Sequence, residues 1–183
     1  MLSNNKNAEE HHMKKKLLVI GHGRHGKDTV SDILCDNFKL SFISSSMFAC
    51  NRFIYNDLKS KYNYTTLEEC YNDRHNHRAE WYNAISSFCE HDPAKLGKAI
   101  FSEHDIYCGL RNVREFDAMR EQNVFDAAIW VDRSEHLPTE DSSSMTLNKE
   151  MADYVINNNG TLDELTSKVY DTYNNILKEL NND

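Results

Sequence analysis

The stretch Gly21-His22-Gly23-Arg24-His25-Gly26-Lys27-Asp28-Thr29 holds the residues best equipped for chemistry. It fits the pattern G-x-x-x-x-G-K, with Asp28 where a serine or threonine is usual. Its glycines allow positive φ and a close approach of backbone to ligand. Successive N–H groups in such a loop form a nest for an anion. A helix starting at the loop's end adds the positive end of its dipole. Lys27 supplies a mobile point charge for the outer groups of a polyphosphate. The loop therefore reads as a phosphate cradle, and Gly21, Gly23, Arg24, His25, Gly26, Lys27, Asp28 and Thr29 are its expected binding residues. Asp28 and Thr29 both carry hard oxygen donors suited to Mg²⁺, and the sequence leaves the choice between them open. A carboxylate at Asp28 also brings negative charge to the phosphates, which makes the cation more necessary.

Three further groups of residues accompany the loop. Arg74, His77 and Arg78 are spaced to share one helical face, with Trp81 three positions on. Two guanidiniums on one face can grip a monophosphate bidentately. Glu68, Glu69 and Asp73 lie close in sequence, so a salt-bridged, solvated helix is the plainer reading. Arg52 is a third candidate for the same anion. The second group is Gly109-Leu110-Arg111-Asn112-Val113-Arg114-Glu115. Ligands of open parallel sheets bind beyond the carboxyl ends of strands, which makes Arg111 an expected phosphate clamp. Arg114 and Glu115 are either substrate contacts or a structural ion pair. The third group is Asp132-Arg133 and the polar run after it, which includes Glu140-Asp141-Ser142-Ser143-Ser144. Residues 133–150 read as a lid, with Arg133 placed to swing over a phosphate in transfer. Lys27, Arg111 and Arg133 are the expected catalytic residues.

The elements that must position these groups follow from periodicity. Leu17–Ile20 is a short apolar run closed by Gly21, a buried parallel strand. Val30, Ile33, Leu34 and Phe38 repeat with a helical period. Strands are further expected at 40–43, 106–110, 125–131 and 154–156, with a short helix through Val113, Phe116 and Met119. Thr161 and Glu164 form a capping box, and Leu162, Leu165, Val169, Tyr173, Ile176 and Leu180 give the last helix one apolar stripe. Strands alternating with helices predict an α/β fold, with a parallel five-stranded sheet flanked by helices. About sixty residues of helical character, 45–104, separate the second and third strands, far more than a crossover needs. They read as an insertion with a function. Residues 14–183 form one domain, and the polar residues 1–13 read as a disordered tail in which Met13 is an alternative start.

Composition narrows the function class. The chain has 183 residues, 39% of them apolar, which suits a single globular domain. Its formal charge of −8 argues against a general nucleic-acid binder. No apolar run is long enough to span a bilayer, and no secretory signal is visible, so the expected location is the cytoplasm. Five scattered cysteines with no C-x-x-C pair read as free thiols in a reducing compartment. The histidines show no zinc-ligand spacing. Oligomeric state is not legible, and a homodimer is kept as an option.

Five segments carry a family resemblance: "GHGRHGKDTV", "DRHNHRAEW", "IYCGLRNVREF", "IWVDRSEHLP" and "SSMTLNKEMADYVINNNGTLDEL". Together they resemble nucleoside monophosphate kinases of the P-loop kinase fold, in particular the bacteriophage-type deoxynucleoside monophosphate kinases, over nearly the whole chain. The resemblance implies ATP and Mg²⁺ as cofactors, and transfer of a phosphoryl group to a (deoxy)nucleoside monophosphate. If the chain is viral, its location would be the host cytoplasm. The resemblance carries the family's lysine and loop glycines to Lys27, Gly21, Gly23 and Gly26, and its strand-end arginine to Arg111. Residues 45–104 become the monophosphate-binding insertion, with Arg52, Arg74, Arg78, Trp81, Arg111, Arg114 and Glu115 as acceptor-binding residues. Asn158 and Gly160 fall on the adenine-side loop, which also resembles that of dephospho-coenzyme A kinases. One departure stands out. Many relatives have an aspartate two residues before the strand-end arginine, where this chain has Gly109. Two alternatives remain: a kinase of another small molecule, such as a dephospho-coenzyme A kinase-like enzyme with Asp28 as base, or a nucleotide-binding regulatory ATPase.

Overall fold

A computed structural model describes residues 14–181. Five strands build one parallel sheet: β1 (Leu17–Ile20), β2 (Phe42–Ser44), β3 (Ile106–Cys108), β4 (Ala127–Asp132) and β5 (Tyr154–Asn157). Their spatial order is β2-β3-β1-β4-β5. β1 lies in the middle, with Leu18 opposite both Tyr107 and Ala128. All four of its residues are buried, as a strand covered on both faces requires. The order reverses at β1, so the C-terminal ends of β1, β3 and β4 frame the crevice where ligands of such sheets bind.

Alternation along the strands separates two cores. Leu17, Val19, Ile106, Ile129 and Val131 face α1 (Lys27–Phe38) and α8 (Leu162–Leu180). Leu18, Ile20, Tyr107, Ala128 and Trp130 face the other side. That side is covered by α6 (Lys95–Phe101) and α7 (Val113–Glu121), with Met145 and Leu147 from the segment after β4. The strands lie within two residues of their predicted starts, and the capping box of Thr161 and Glu164 is present at the start of α8. The five-stranded parallel α/β architecture expected from the sequence is the one observed. The tail expected over residues 1–13 lies outside the described residues.

The stretch 45–104 contains two kinds of helix. α6 returns the chain to the sheet and packs in the main core. The remainder has a small core of its own, made of Ala49, Cys50, Ile54, Cys70 and Trp81. It comprises α2 (Ser45–Ala49), a π-helical segment at Cys50–Ile54, α3 (Tyr55–Tyr62), α4 (Leu67–Asn72), a 3₁₀ turn at Asp73–Asn76 and α5 (Arg78–Phe88). Here one expectation fails: Arg74, His77 and Arg78 do not lie on a single helix. His77 has φ −124 and ψ 33, and the helix breaks there. At this break the Asp73 carboxylate accepts from Tyr64 Oη at 2.5 Å and Asn76 Nδ2 at 2.6 Å and meets His77 Nε2 at 2.9 Å.

Leu34 is fully buried between α1 and the sheet. Leu34→Ala is expected to lower the unfolding free energy by about 2–5 kcal/mol in urea titrations, because the closely packed layer leaves a cavity.

Candidate phosphate-binding site

The loop between β1 and α1 sits at the reversal of the sheet. Gly21 has φ +144, and a Cβ there would lie 2.5 Å from the Val131 carbonyl oxygen of β4. Only glycine lets the chain leave β1 against β4 in this way. Gly26 has φ +96, and its missing Cβ leaves space that Asn158 Nδ2 approaches to within 2.3 Å. That amide donates to the His25 carbonyl at 2.9 Å, and the Asn158 backbone N–H donates to the Asp132 carbonyl at 2.7 Å. Asn158, from the turn after β5, therefore braces the loop from below. Gly160 lies against Glu164 of the α8 capping box.

The two histidines of the loop act inward. His25 is fully buried, accepts the Arg133 backbone N–H on Nδ1 at 3.0 Å, and has Nε2 at 3.4 Å from the Pro138 carbonyl. Together these contacts describe the neutral tautomer protonated on Nε2. His22 packs edge-on against Trp130 and accepts the Glu140 backbone N–H on Nδ1 at 3.1 Å. Burial lowers the His22 pKa, with His25 adding to the effect, so His22 keeps the lone pair this bond requires. The segment after β4 is thus folded onto the loop.

Lys27 opens α1 and donates from Nζ to the His22 carbonyl at 2.6 Å. Burial lowers its pKa and Arg111 adds to this, while Cys108, Asp28 and Glu140 oppose. Beside it, Asp28 Oδ1 accepts from Cys108 Sγ at 3.3 Å. Burial and the neighbouring Asp28 push the Cys108 thiol up to about 12. Asp28 thus brings a carboxylate from the first turn of α1 to Cys108, the last residue of β3. Thr29 is exposed one position further along α1.

Arg111 follows β3 and forms an ion pair with Glu140 Oε1. The other oxygen of Glu140, Oε2, accepts the Gly23 N–H at 2.6 Å. One carboxylate therefore joins the glycine loop to the strand-end arginine, and both reach the same anion. Burial raises the Glu140 pKa, but Arg111, the Gly23 N–H and Lys27 outweigh it and hold the carboxyl below its ordinary value. No guanidinium bond of Arg133 is present among the described residues, and its backbone serves His25.

The other expected residues lie apart from this cradle. Arg52 pairs with Glu103. Arg74 stacks 4.0 Å from the Tyr71 ring centroid and donates to the Tyr71 carbonyl at 2.8 Å. Trp81 is buried in the insertion, and its Nε1 has no partner among the described residues. Arg78 and Arg114 are exposed, at the starts of α5 and α7. Glu115 is largely buried and accepts from Tyr107 Oη at 3.0 Å. Burial drives its pKa up to about 7, with the Tyr107 bond opposing. The sequence reading missed Glu140, Pro138, His22 and the hub role of His25. Only Glu140 carried a signal, as an acid in the lid, and its partner lies 117 positions away.

No group of three His, Cys, Asp or Glu side chains that could hold a metal is present among the described residues. Asp28 still fits Mg²⁺, since this ion commonly takes one or two protein carboxylates and completes its shell with phosphate oxygens and water. No described helix is long and apolar enough to cross a membrane.

No protein-family model matches the chain, and no curated protein does. Solved structures do share its fold. A shikimate kinase from Aquifex aeolicus aligns with a TM-score of 0.51 over 87% of this chain and 96% of its own, at 13% identity. A gluconokinase from Sinorhizobium meliloti aligns with a TM-score of 0.48 over 91% of this chain and 95% of its own, also at 13% identity. With the sheet order above, the first of these shows that the chain shares that enzyme's five-stranded parallel α/β fold.

The raised pKa of Glu115 has a measurable consequence. Its folded-state value of about 7 lies above the unfolded value of 4.5, so its stabilising effect is complete below pH 4.5 and lost as pH rises through 7. Glu115→Gln is expected to remove up to about 3 kcal/mol of that decline. Urea midpoints between pH 4.5 and 8 should therefore vary less in the variant than in the parent.

Proposed function

We propose that this protein transfers the terminal phosphoryl group of ATP to a small acceptor, and that the acceptor is a (deoxy)nucleoside monophosphate. The observation that carries this reading is the convergence of Gly23 N–H and Arg111 on a single carboxylate, because a phosphate oxygen makes the same demands. Four other features support it: Lys27 at the start of α1, the Asp28 carboxylate against Cys108 of β3, the helical insertion after β2 and the segment that closes over the loop. The shared fold of an Aquifex aeolicus shikimate kinase supports the kinase class without naming an acceptor.

The chemistry this chain would perform is mainly positioning. The loop N–H groups and the N-terminus of α1 bind the phosphate chain. Lys27 leaves the His22 carbonyl to neutralise the outer phosphates. Arg111 bridges donor and acceptor. Mg²⁺ near Asp28, with Thr29 adjacent, would neutralise charge on the phosphates in transfer. In the transfer the bond from Pγ to the bridging oxygen breaks, a bond to an acceptor phosphate oxygen forms, and ADP leaves. An ionised acceptor phosphate needs no general base. Arg74, Arg78 and Arg52 belong to the insertion that would approach the acceptor. Arg114 and Glu115 lie beyond β3, and Arg133 at the lid hinge would add charge on closure. Closure would also exclude water from ATP. We place the reaction in the cytoplasm.

A hydroxyl acceptor is the second reading. The position of Asp28 beside Cys108 favours it, since a carboxylate at that edge could take a hydroxyl proton. ADP release measured across a panel of ribo- and deoxynucleoside monophosphates separates the two. At least one monophosphate should accelerate ATP consumption well above the acceptor-free rate. A panel that is silent while sugars or other alcohols accelerate it would replace the first reading with the second.

Asp28→Asn tests the metal assignment. The free Mg²⁺ needed for half-maximal rate is expected to rise roughly tenfold or more. Metal-free ATP binding should hold or tighten, because a negative charge beside the phosphates is gone. A Mg²⁺ dependence identical to the parent's would move the ion to Thr29.

A further inference from the structure

We propose that Glu140 is a built-in anion that occupies the phosphate cradle of the free protein, latching the segment after β4 until a polyphosphate expels it. The inference rests on reading the glycine loop as a phosphate site. Glu140 uses the groups a phosphate would use: Oε2 takes the Gly23 N–H, and Oε1 takes Arg111. Its carboxyl carbon and both oxygens approach within 3.5 Å of where a Gly23 Cβ would stand, so it fills the mouth of the loop. Lys27 is meanwhile turned onto the loop's own His22 carbonyl.

Anchors on either side of Glu140 hold it there. Upstream, the Pro138 carbonyl meets buried His25. The Glu140 backbone N–H donates to His22 Nδ1. Downstream, the Thr146 N–H donates to the Arg111 carbonyl at 3.0 Å, and Thr146 Oγ1 accepts the Val113 N–H at 2.8 Å. Only a short piece of chain between these anchors must lift to free the cradle. The carboxylate therefore competes intramolecularly, at the high effective concentration of a tethered ligand. Apparent affinity for phosphate falls by the fraction of molecules whose cradle is open. Carboxylate and phosphate satisfy the same donors, so exchanging one for the other leaves no buried donor unpaired.

The test is isothermal titration calorimetry of the full chain and of Glu140→Ala and Glu140→Gln, with inorganic tripolyphosphate and with ATP. It is run without metal at fixed ionic strength, which keeps screening constant. Both ligands should bind roughly tenfold or more tightly to Glu140→Ala than to the parent. Glu140→Gln should show a gain of the same sign, because it keeps the shape and loses the charge. A gain in Glu140→Ala alone assigns the latch to the Gly23 hydrogen bond and supports the proposal. Equal or weaker binding in both variants overturns it. If no form binds either ligand, the phosphate reading of the loop fails together with the latch; binding that is insensitive to Glu140 removes the latch only.

Discussion

The site depends on a buried brace beneath the glycine loop. Asn158 reaches up from the end of β5 to hold the His25 carbonyl, and it does so through the space that a side chain at Gly26 would fill. Its own backbone is fastened to Asp132 at the end of β4. The loop is thus fixed to three strand ends, and its N–H groups are oriented before any ligand arrives. Preorganised donors lose little on binding an anion. The brace is polar and buried, and it is tolerable because its partners are satisfied.

His25 extends the same constraint to the lid. Its ring lies at the centre of the contacts that join β4's end, Pro138 and the loop. A change at the loop is therefore felt by the segment carrying Glu140, and the reverse. The protein as a whole is acidic, at −8, yet Lys27 and Arg111 concentrate positive charge where the strands end. Local arrangement decides what binds there; net charge governs only long-range approach.

The local signals were legible in the sequence. The run Leu17–Ile20 had to be a doubly covered strand, and the glycines after it marked the loop. The capping box at Thr161 marked the start of α8. What could not be read came from contacts between distant positions. Glu140 looked like one more acid in a polar run, and its role appears only when residue 23 is brought beside it. His25 looked like a loop residue that would face ligand, but its ring is buried against partners more than a hundred positions away. The spacing of Arg74 and Arg78 promised a shared helical face. The chain instead breaks at His77, between a 3₁₀ turn that carries Arg74 and the helix that Arg78 opens, a local change of direction that helical periodicity does not record.

The central claim is that the loop from Gly21 to Thr29 is a phosphate cradle held ready by the strand ends. Its most direct test is a ¹⁵N-resolved NMR titration of the full chain with ATP and Mg²⁺. The account expects the backbone amides of Gly23, Gly26 and Lys27 to move together and saturate with a single affinity, with Arg111 following and the exposed face of α8 unchanged. Saturable shifts confined to another part of the surface, with these three amides still, would contradict it.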